Sequence, residues 1–121
     1  MSTNYFIKTK DPEMVFDLMP RVEISKQDRC FIIHICQTQC SAWNLKPLLE
    51  SHSYHSFKEL KDILHNKKYT FDIVDEYGSE WEVEEFISFL EKENKGKTRK
   101  TAGLNIQTDE EGYEFLDSDF A

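Results

Sequence analysis

The chain has 121 residues, enough for one domain with a modest hydrophobic core. Its 23 acidic residues outnumber 15 lysines and arginines and give a formal net charge of −8. This charge argues against direct binding to nucleic acid, because phosphate contacts require clustered basic side chains. Because the chain lacks both a run of about 18 apolar residues and the pattern of a signal peptide, we expect no membrane span and a cytoplasmic location.

The first predicted elements are a strand and a short helix. Residues 4–10 have the alternation of a strand. Asp11 followed by Pro12 is typical of a helix start, in which the carboxylate caps the first turn, and Pro20 ends this helix. Because the helix has barely two turns, packing must stabilise it.

The segment 30–38 is the most strongly β-forming part of the chain. It is apolar on both faces, which predicts a central strand covered on both sides. A weak strand is predicted before it at 21–25. Residues 43–49 are predicted to form a strand that pairs antiparallel with the segment 30–38. Pro47 places this strand at an edge of the sheet or at a bulge.

Two further helices are predicted, each opened by a serine. Ser56 and Ser79 each stand three residues before a glutamate, which is the spacing of a capping box. The helices are expected at about 56–66 and 79–93, with a strand at 69–74 between them.

A basic segment divides the chain. Lysines and arginines surround Gly96 at 95–103, which is typical of a flexible linker. It separates a compact domain at 1–94 from an acidic and aromatic tail at 104–121, which we expect to dock on the domain and to contain a short strand at 104–108. The predicted fold class is α+β: a small antiparallel sheet with two or three helices packed on one face.

The tail repeats the stretch that follows the strand 69–74. Aligning Asp75 with Asp109 superposes Gly78 on Gly112 and gives five identities in twelve ungapped positions. We expect two similar turns, each with a glycine and an aromatic residue just after it, that either pack together or offer two docking patches. A chance similarity between acid-rich segments is the alternative.

The order of these features resembles a loose group of small proteins of tailed bacteriophages and prophages to which no activity is assigned. The resemblance rests on Ile33-His34-Ile35, Ser41-Ala42-Trp43, the serine-capped helix and the two acidic glycine turns, and it covers roughly residues 1–120. Such proteins often have Gly where this chain has Ala42. The resemblance implies expression from a phage genome in the cytoplasm of a bacterial host, and hence a partner in the host machinery.

Cysteines and histidines offer a candidate zinc site. Zinc prefers four converging nitrogen and sulfur ligands, which Cys36 and Cys40 could supply together with histidines from among His34, His52 and His55. The alternative is that these are ordinary core or surface residues. An odd number of cysteines in a reducing compartment argues against disulfides. Because no nucleophile–base motif or phosphate-binding glycine loop occurs, we expect neither enzyme activity nor a cofactor.

Acidic residues are concentrated in two segments. Residues 71–91 contain eight and residues 106–121 contain six, and neither segment has a lysine or arginine. Concentrated negative charge accelerates encounter with a basic surface, and interleaved aromatic side chains are typical interface anchors, although solubility alone would also explain the charge. The candidate partner-binding residues are Asp75, Glu76, Tyr77, Glu80, Trp81, Glu84, Asp109, Glu110, Tyr113 and Glu114.

The sequence therefore favours a non-enzymatic phage accessory protein that binds a host protein through that protein's basic, nucleic-acid-binding surface and inhibits it. A defence nuclease is the concrete target, in the manner of an anti-CRISPR or anti-restriction protein. The alternative is a small structural or zinc-stabilised domain without an inhibitory role.

Overall fold

The structure is a computed structural model that describes residues 3–19, 30–38, 46–95 and 106–117. Within these ranges it contains seven strands and three helices. The strands are β1 Thr3–Thr9, β2 Phe31–Thr38, β3 Leu48–Ser51, β4 Asp72–Asp75, β5 Glu80–Trp81, β6 Ile106–Thr108 and β7 Glu114–Asp117, and the helices are α1 Pro12–Leu18, α2 Phe57–Leu64 and α3 Val83–Asn94.

The described strands form one sheet in the order β5-β4-β1-β2-β3-β7-β6. Neighbouring strands are antiparallel except β3 and β7, which are parallel. The predicted α+β class is confirmed, but the sheet is larger than expected. Two of its strands were not predicted: β5 lies where the sequence predicted the start of the helix at 79–93, and β7 follows the tail strand predicted at 104–108. The predicted strand at 21–25 and residues 96–103 of the predicted linker lie outside the described residues.

All three helices contribute to one core on one face of the sheet. Ile7, Ile33 and Ile73 are in register across β1, β2 and β4 and are buried, which identifies the face that the helices cover. The helical side chains of this core are Met14, Val15 and Leu18 from α1, Phe57, Leu60 and Leu64 from α2, and Phe86, Ile87 and Leu90 from α3.

The strand β2 is buried on one face only, so the expectation that it is covered on both sides is wrong. Ile33 is buried, whereas the neighbouring Ile32 is 63% exposed. The register with β1 shifts at a β-bulge in which Ile35 has no partner. Because the extra residue breaks the alternation, the consecutive Ile35 and Cys36 are both buried.

The helix starts agree with the sequence in two cases of three. Asp11 accepts a hydrogen bond from Glu13 N–H at 3.0 Å to start α1, and the Ser56 hydroxyl accepts one from Glu59 N–H at 3.1 Å to start α2. The capping box predicted from Ser79 is wrong, because α3 starts at Val83 after an N-cap at residue 82. The Ser79 backbone instead forms hydrogen bonds with Asp75 in the turn that precedes the helix.

An acidic end of the sheet

The two acidic glycine turns lie at the same end of the sheet. The pairing directions place the end of β4 and the starts of β1, β3 and β7 at one end. The β4–β5 turn and the β6–β7 turn therefore flank the three central strands. Since β4 and β7 are four strand positions apart, their separation is about 19 Å at a spacing of about 4.8 Å per strand. The turns do not pack together.

The first turn, residues 75–79, is organised by one aspartate. The Oδ1 atom of Asp75 accepts hydrogen bonds from Tyr77 N–H at 2.9 Å and from Ser79 N–H at 3.0 Å. The Asp75 N–H donates to the Ser79 carbonyl at 3.0 Å, and Gly78 N–H donates to the Asp75 carbonyl at 3.0 Å. Gly78 has a φ of 84°, a left-handed conformation that glycine adopts without strain.

The second turn, residues 109–113, repeats each of these contacts. The Oδ1 atom of Asp109 accepts from Glu111 N–H at 3.0 Å and from Tyr113 N–H at 2.8 Å. The Asp109 N–H donates to the Tyr113 carbonyl at 2.9 Å, and Gly112 N–H donates to the Asp109 carbonyl at 3.1 Å, with a Gly112 φ of 87°. The predicted pair of similar turns is confirmed.

The second carboxylate oxygen of each aspartate holds the turn to the rest of the fold. Asp75 Oδ2 accepts from Trp81 Nε1 at 3.3 Å, and Asp109 Oδ2 accepts from the backbone N–H of Phe57, the first residue of α2, at 2.8 Å. Desolvation raises the pKa of Asp75, but the hydrogen bonds from Ser79, Trp81 and Tyr77 outweigh it and leave the pKa below its ordinary value. Both aspartates therefore build the turns and have few lone pairs left for a partner.

The other predicted partner-binding residues divide by burial. Tyr77 is 68% exposed, whereas Tyr113 and Glu114 are buried and do not reach the surface. Tyr113 stacks on the Phe57 ring at a centroid distance of 4.0 Å, and burial raises its pKa to about 12. Trp81 is half-buried against Tyr5. The exposed acids are Glu76, Glu80 and Glu110 at the turns and Glu84 on α3, where it contacts His65.

One exposed acid of the two turns was absent from the predicted set. Glu111 lies at the tip of the second turn, at the position that Tyr77 occupies in the first. The alignment of the two turns matches Glu111 with Tyr77, so the sequence alone could have identified Glu111 as a candidate. We define the acidic end as Glu76, Tyr77, Glu80, Glu110 and Glu111, which are all exposed.

A polar network that the sequence analysis did not predict crosses the face of the sheet that the described helices do not cover. His34 Nδ1 contacts Glu50 Oε2 at 2.8 Å, and His34 Nε2 contacts Asn4 Oδ1 at 2.8 Å. The Asn4 N–H donates to Glu76 Oε1 at 2.7 Å, which joins the network to the first turn. The hydrogen bond with His34 lowers the pKa of Glu50 against the opposing effect of burial. The network fixes Glu76 relative to β1, β2 and β3.

The candidate zinc ligands that the structure describes are engaged elsewhere. Cys36 is fully buried in the core, and burial raises the pKa of its thiol. His52 Nε2 contacts the His34 carbonyl at 2.8 Å, and His55 Nδ1 contacts Ser51 Oγ at 2.7 Å. Cys40 lies outside the described residues. Within the described ranges, no three His, Cys, Asp or Glu side chains are placed to hold a metal ion.

Comparison with known proteins gives no relative. No protein family, curated protein or solved structure matches the chain. The resemblance to phage proteins therefore stays a prediction. Among the described helices, none is long and apolar enough to cross a membrane.

Proposed function

We propose that this chain is a phage-encoded, non-enzymatic protein that docks its acidic end on a basic surface of a host protein. The observation that carries the proposal is the pair of matched turns at one end of the sheet. Each turn is fixed by its own aspartate, so the backbone that carries the neighbouring exposed glutamates has a defined conformation before a partner arrives. Preorganised groups lose little conformational entropy on binding.

The exposed carboxylates of the acidic end suit electrostatic steering. Glu80, Glu110 and Glu111 have no ion pair within the described part of the chain. Lys46 is the cation beside the second turn, where its Nζ donates to the Gly112 carbonyl at 2.6 Å. Unpaired acids grouped on one surface accelerate association with a basic partner and make it dependent on salt.

Tyr77 supplies an anchor beside these charges. Its side chain is 68% exposed at the tip of the first turn, and tyrosine is enriched among the residues that dominate interface energies. A tyrosine flanked by carboxylates fits a partner surface that combines cationic and apolar groups.

The separation of the turns favours a broad basic surface over a single pocket. The inner strands of the two turns, β4 and β7, are about 19 Å apart at a strand spacing of about 4.8 Å, a distance comparable to the width of a nucleic-acid duplex. A protein that normally binds nucleic acid presents cationic side chains over such a span. Occupation of that surface by the acidic end would block nucleic acid, which is how the protein would inhibit a nuclease.

Affinity capture from a bacterial lysate tests the proposal. Immobilised protein should retain a basic, nucleic-acid-binding protein at low salt and release it as salt screens the charges. Excess duplex DNA should release the same protein, because both compete for one surface.

Two variants with the same change in net charge show whether capture depends on the acidic end or on net charge alone. The acidic-end variant should lose the captured protein and the control variant should keep it. Capture of the same protein by both variants, or of none by the parent, would contradict the proposal. The acidic-end variant is Glu80→Gln, Glu110→Gln and Glu111→Gln, and the control variant is Asp62→Asn, Asp72→Asn and Glu84→Gln.

A further inference from the structure

An open cavity of about 350 Å³ lies at the opposite end of the sheet from the acidic turns. It forms where the three adjacent strands β2, β1 and β4 stop pairing. Lys10 follows the last paired residue of β1, Cys30 precedes the first residue of β2, and Thr70 lies two residues before β4. If the pairing of β1 with β2 and the pairing of β1 with β4 continued beyond their last pairs, Lys10 would lie opposite both Cys30 and Thr70. The lining residues are Lys8, Thr9, Lys10, Cys30, Thr70, Phe71 and Asp72.

The base of the cavity is held by hydrogen bonds. The buried Thr9 hydroxyl donates to the Thr70 carbonyl at 2.7 Å and accepts from the Asp11 N–H at 2.9 Å. Asp11 Oδ2 in turn accepts from the Thr70 N–H at 3.1 Å. These contacts tie the end of β1 to the segment before β4, so the cavity is part of the fold rather than a gap between independent loops.

Two lysines, Lys8 and Lys10, line the cavity, and Lys8 lies opposite Asp72 in the pairing of β1 with β4. Neither Lys8 nor Lys10 has an ion pair in the described ranges, and Asp72, which also lines the cavity, is bonded to neither. Lys68, which is also exposed, instead pairs with Glu13 at 3.4 Å. In a chain with a net charge of −8, unpaired lysines beside one cavity are unexpected.

The lining determines what the cavity can bind. Lys8, Lys10 and the Thr70 hydroxyl are donors that match the oxygens of a phosphate group, for which lysine is a common ligand. The half-buried Phe71 ring adds an apolar wall. We propose that this cavity binds a small phosphate monoester that carries an apolar group, with the phosphate at Lys8 and Lys10 and the apolar group against Phe71.

Phenyl phosphate is the probe for this site, read by backbone amide shifts in NMR spectra of the full chain. Saturable shifts are expected at residues 8–10 and 70–72. Inorganic phosphate, which lacks the ring, should bind more weakly, and phenol, which lacks the charge, should cause no saturable shift there. Absence of saturable shifts with phenyl phosphate, or equal binding of phenol, would overturn the proposal.

Charge variants separate this site from general attraction of anions. Lys8→Gln with Lys10→Gln should weaken binding by about tenfold or more, since two charge-assisted contacts are lost. Lys58→Gln with Lys92→Gln makes the same change in net charge on α2 and α3 and should leave binding unchanged. Equal weakening by both pairs would overturn the proposal.

A third variant keeps the test valid if the Lys8 and Lys10 variant does not fold. Asp72→Asn removes the negative charge that opposes the ligand and should tighten binding of phenyl phosphate severalfold. Alkylation of the exposed Cys30 by iodoacetamide, followed by peptide mass spectrometry, should be slowed by bound phenyl phosphate. Unchanged affinity in the Asp72→Asn variant together with unchanged alkylation would contradict the site.

Discussion

At the scale of single residues, the most constrained positions are the aspartates that begin the two turns. A side chain as short as aspartate can bond the backbone N–H groups two and four positions ahead, and the glycine supplies the positive φ that closes the turn. The repeated spacing of Asp75 with Gly78 and Asp109 with Gly112 made the turns predictable. The carboxylate contacts to Trp81 and Phe57 were not predictable, because they join segments that only the tertiary fold brings together.

Loss of the second aspartate should destabilise the protein more than loss of a neighbouring acid. Asp109→Ala removes acceptors for two turn N–H groups and for the first N–H of α2, and loss of such a capping contact costs about 0.5–2 kcal/mol. Glu110→Ala should change the unfolding free energy by about 0.5 kcal/mol or less, because the side chain is exposed. Urea denaturation measures both variants. Equal unfolding free energies would show that Asp109 does not hold the turn.

Truncation of a central aromatic residue should have the largest effect. Phe86 is fully buried and contacts the Tyr5 ring at a centroid distance of 5.5 Å. Phe86→Ala should therefore lower the unfolding free energy by about 3–5 kcal/mol. Thermal denaturation followed by circular dichroism measures the change, and Phe16→Ala, at a side chain that is 60% exposed, is the control. A Phe86→Ala midpoint equal to that of the Phe16→Ala variant would contradict the core described above.

At the scale of the elements, strands with strong patterns were predictable and their partners were not. The segment 30–38 became β2 because its alternation and β-branched residues suit a strand. The bulge at Ile35 and the parallel pairing of β3 with β7 arise from contacts distant in sequence, which periodicity does not encode. For the same reason, the prediction from the charge pattern that Tyr113 and Glu114 lie on a binding surface is wrong, since both are buried.

The polar network that joins three strands predicts a dependence of stability on pH. Its contact with His34 lowers the folded-state pKa of Glu50 below the ordinary value of 4.5. The ionised carboxylate therefore stabilises the fold above the ordinary pKa, and this stabilisation is lost as the pH falls through the lower folded-state pKa.

Glu50→Gln isolates this contribution. The parent should unfold at a higher urea concentration than the variant at pH 6, and the difference should shrink as the pH falls below 4.5. Glu91→Gln, an exposed substitution on α3, should show a difference from the parent that does not change with pH in this way. A parent–Glu50→Gln difference that is constant from pH 6 to acid would contradict the role of the carboxylate.

At the scale of the whole molecule, the sheet separates its charges along the strand direction. The two acidic turns lie at one end, and the lysine-lined cavity lies at the other. The separation follows from topology, because the antiparallel order turns the ends of β4 and β6 to the same side. Net charge predicted a basic partner from the sequence, but only the strand order showed which acids share an end. Glu84 lies on α3, within the helix that the sequence predicted, and belongs to neither turn.

The association rate with the captured partner tests the central claim most directly. Stopped-flow mixing of the parent, the acidic-end variant and the control variant with that partner, over a range of salt concentrations, separates the charges of the acidic end from net charge. We expect slower association and a smaller salt dependence for the acidic-end variant, and parental values for the control variant, because rim charges act mainly on the on-rate. An acidic-end variant that is folded and associates at the parental rate with the parental salt dependence would contradict docking through this end.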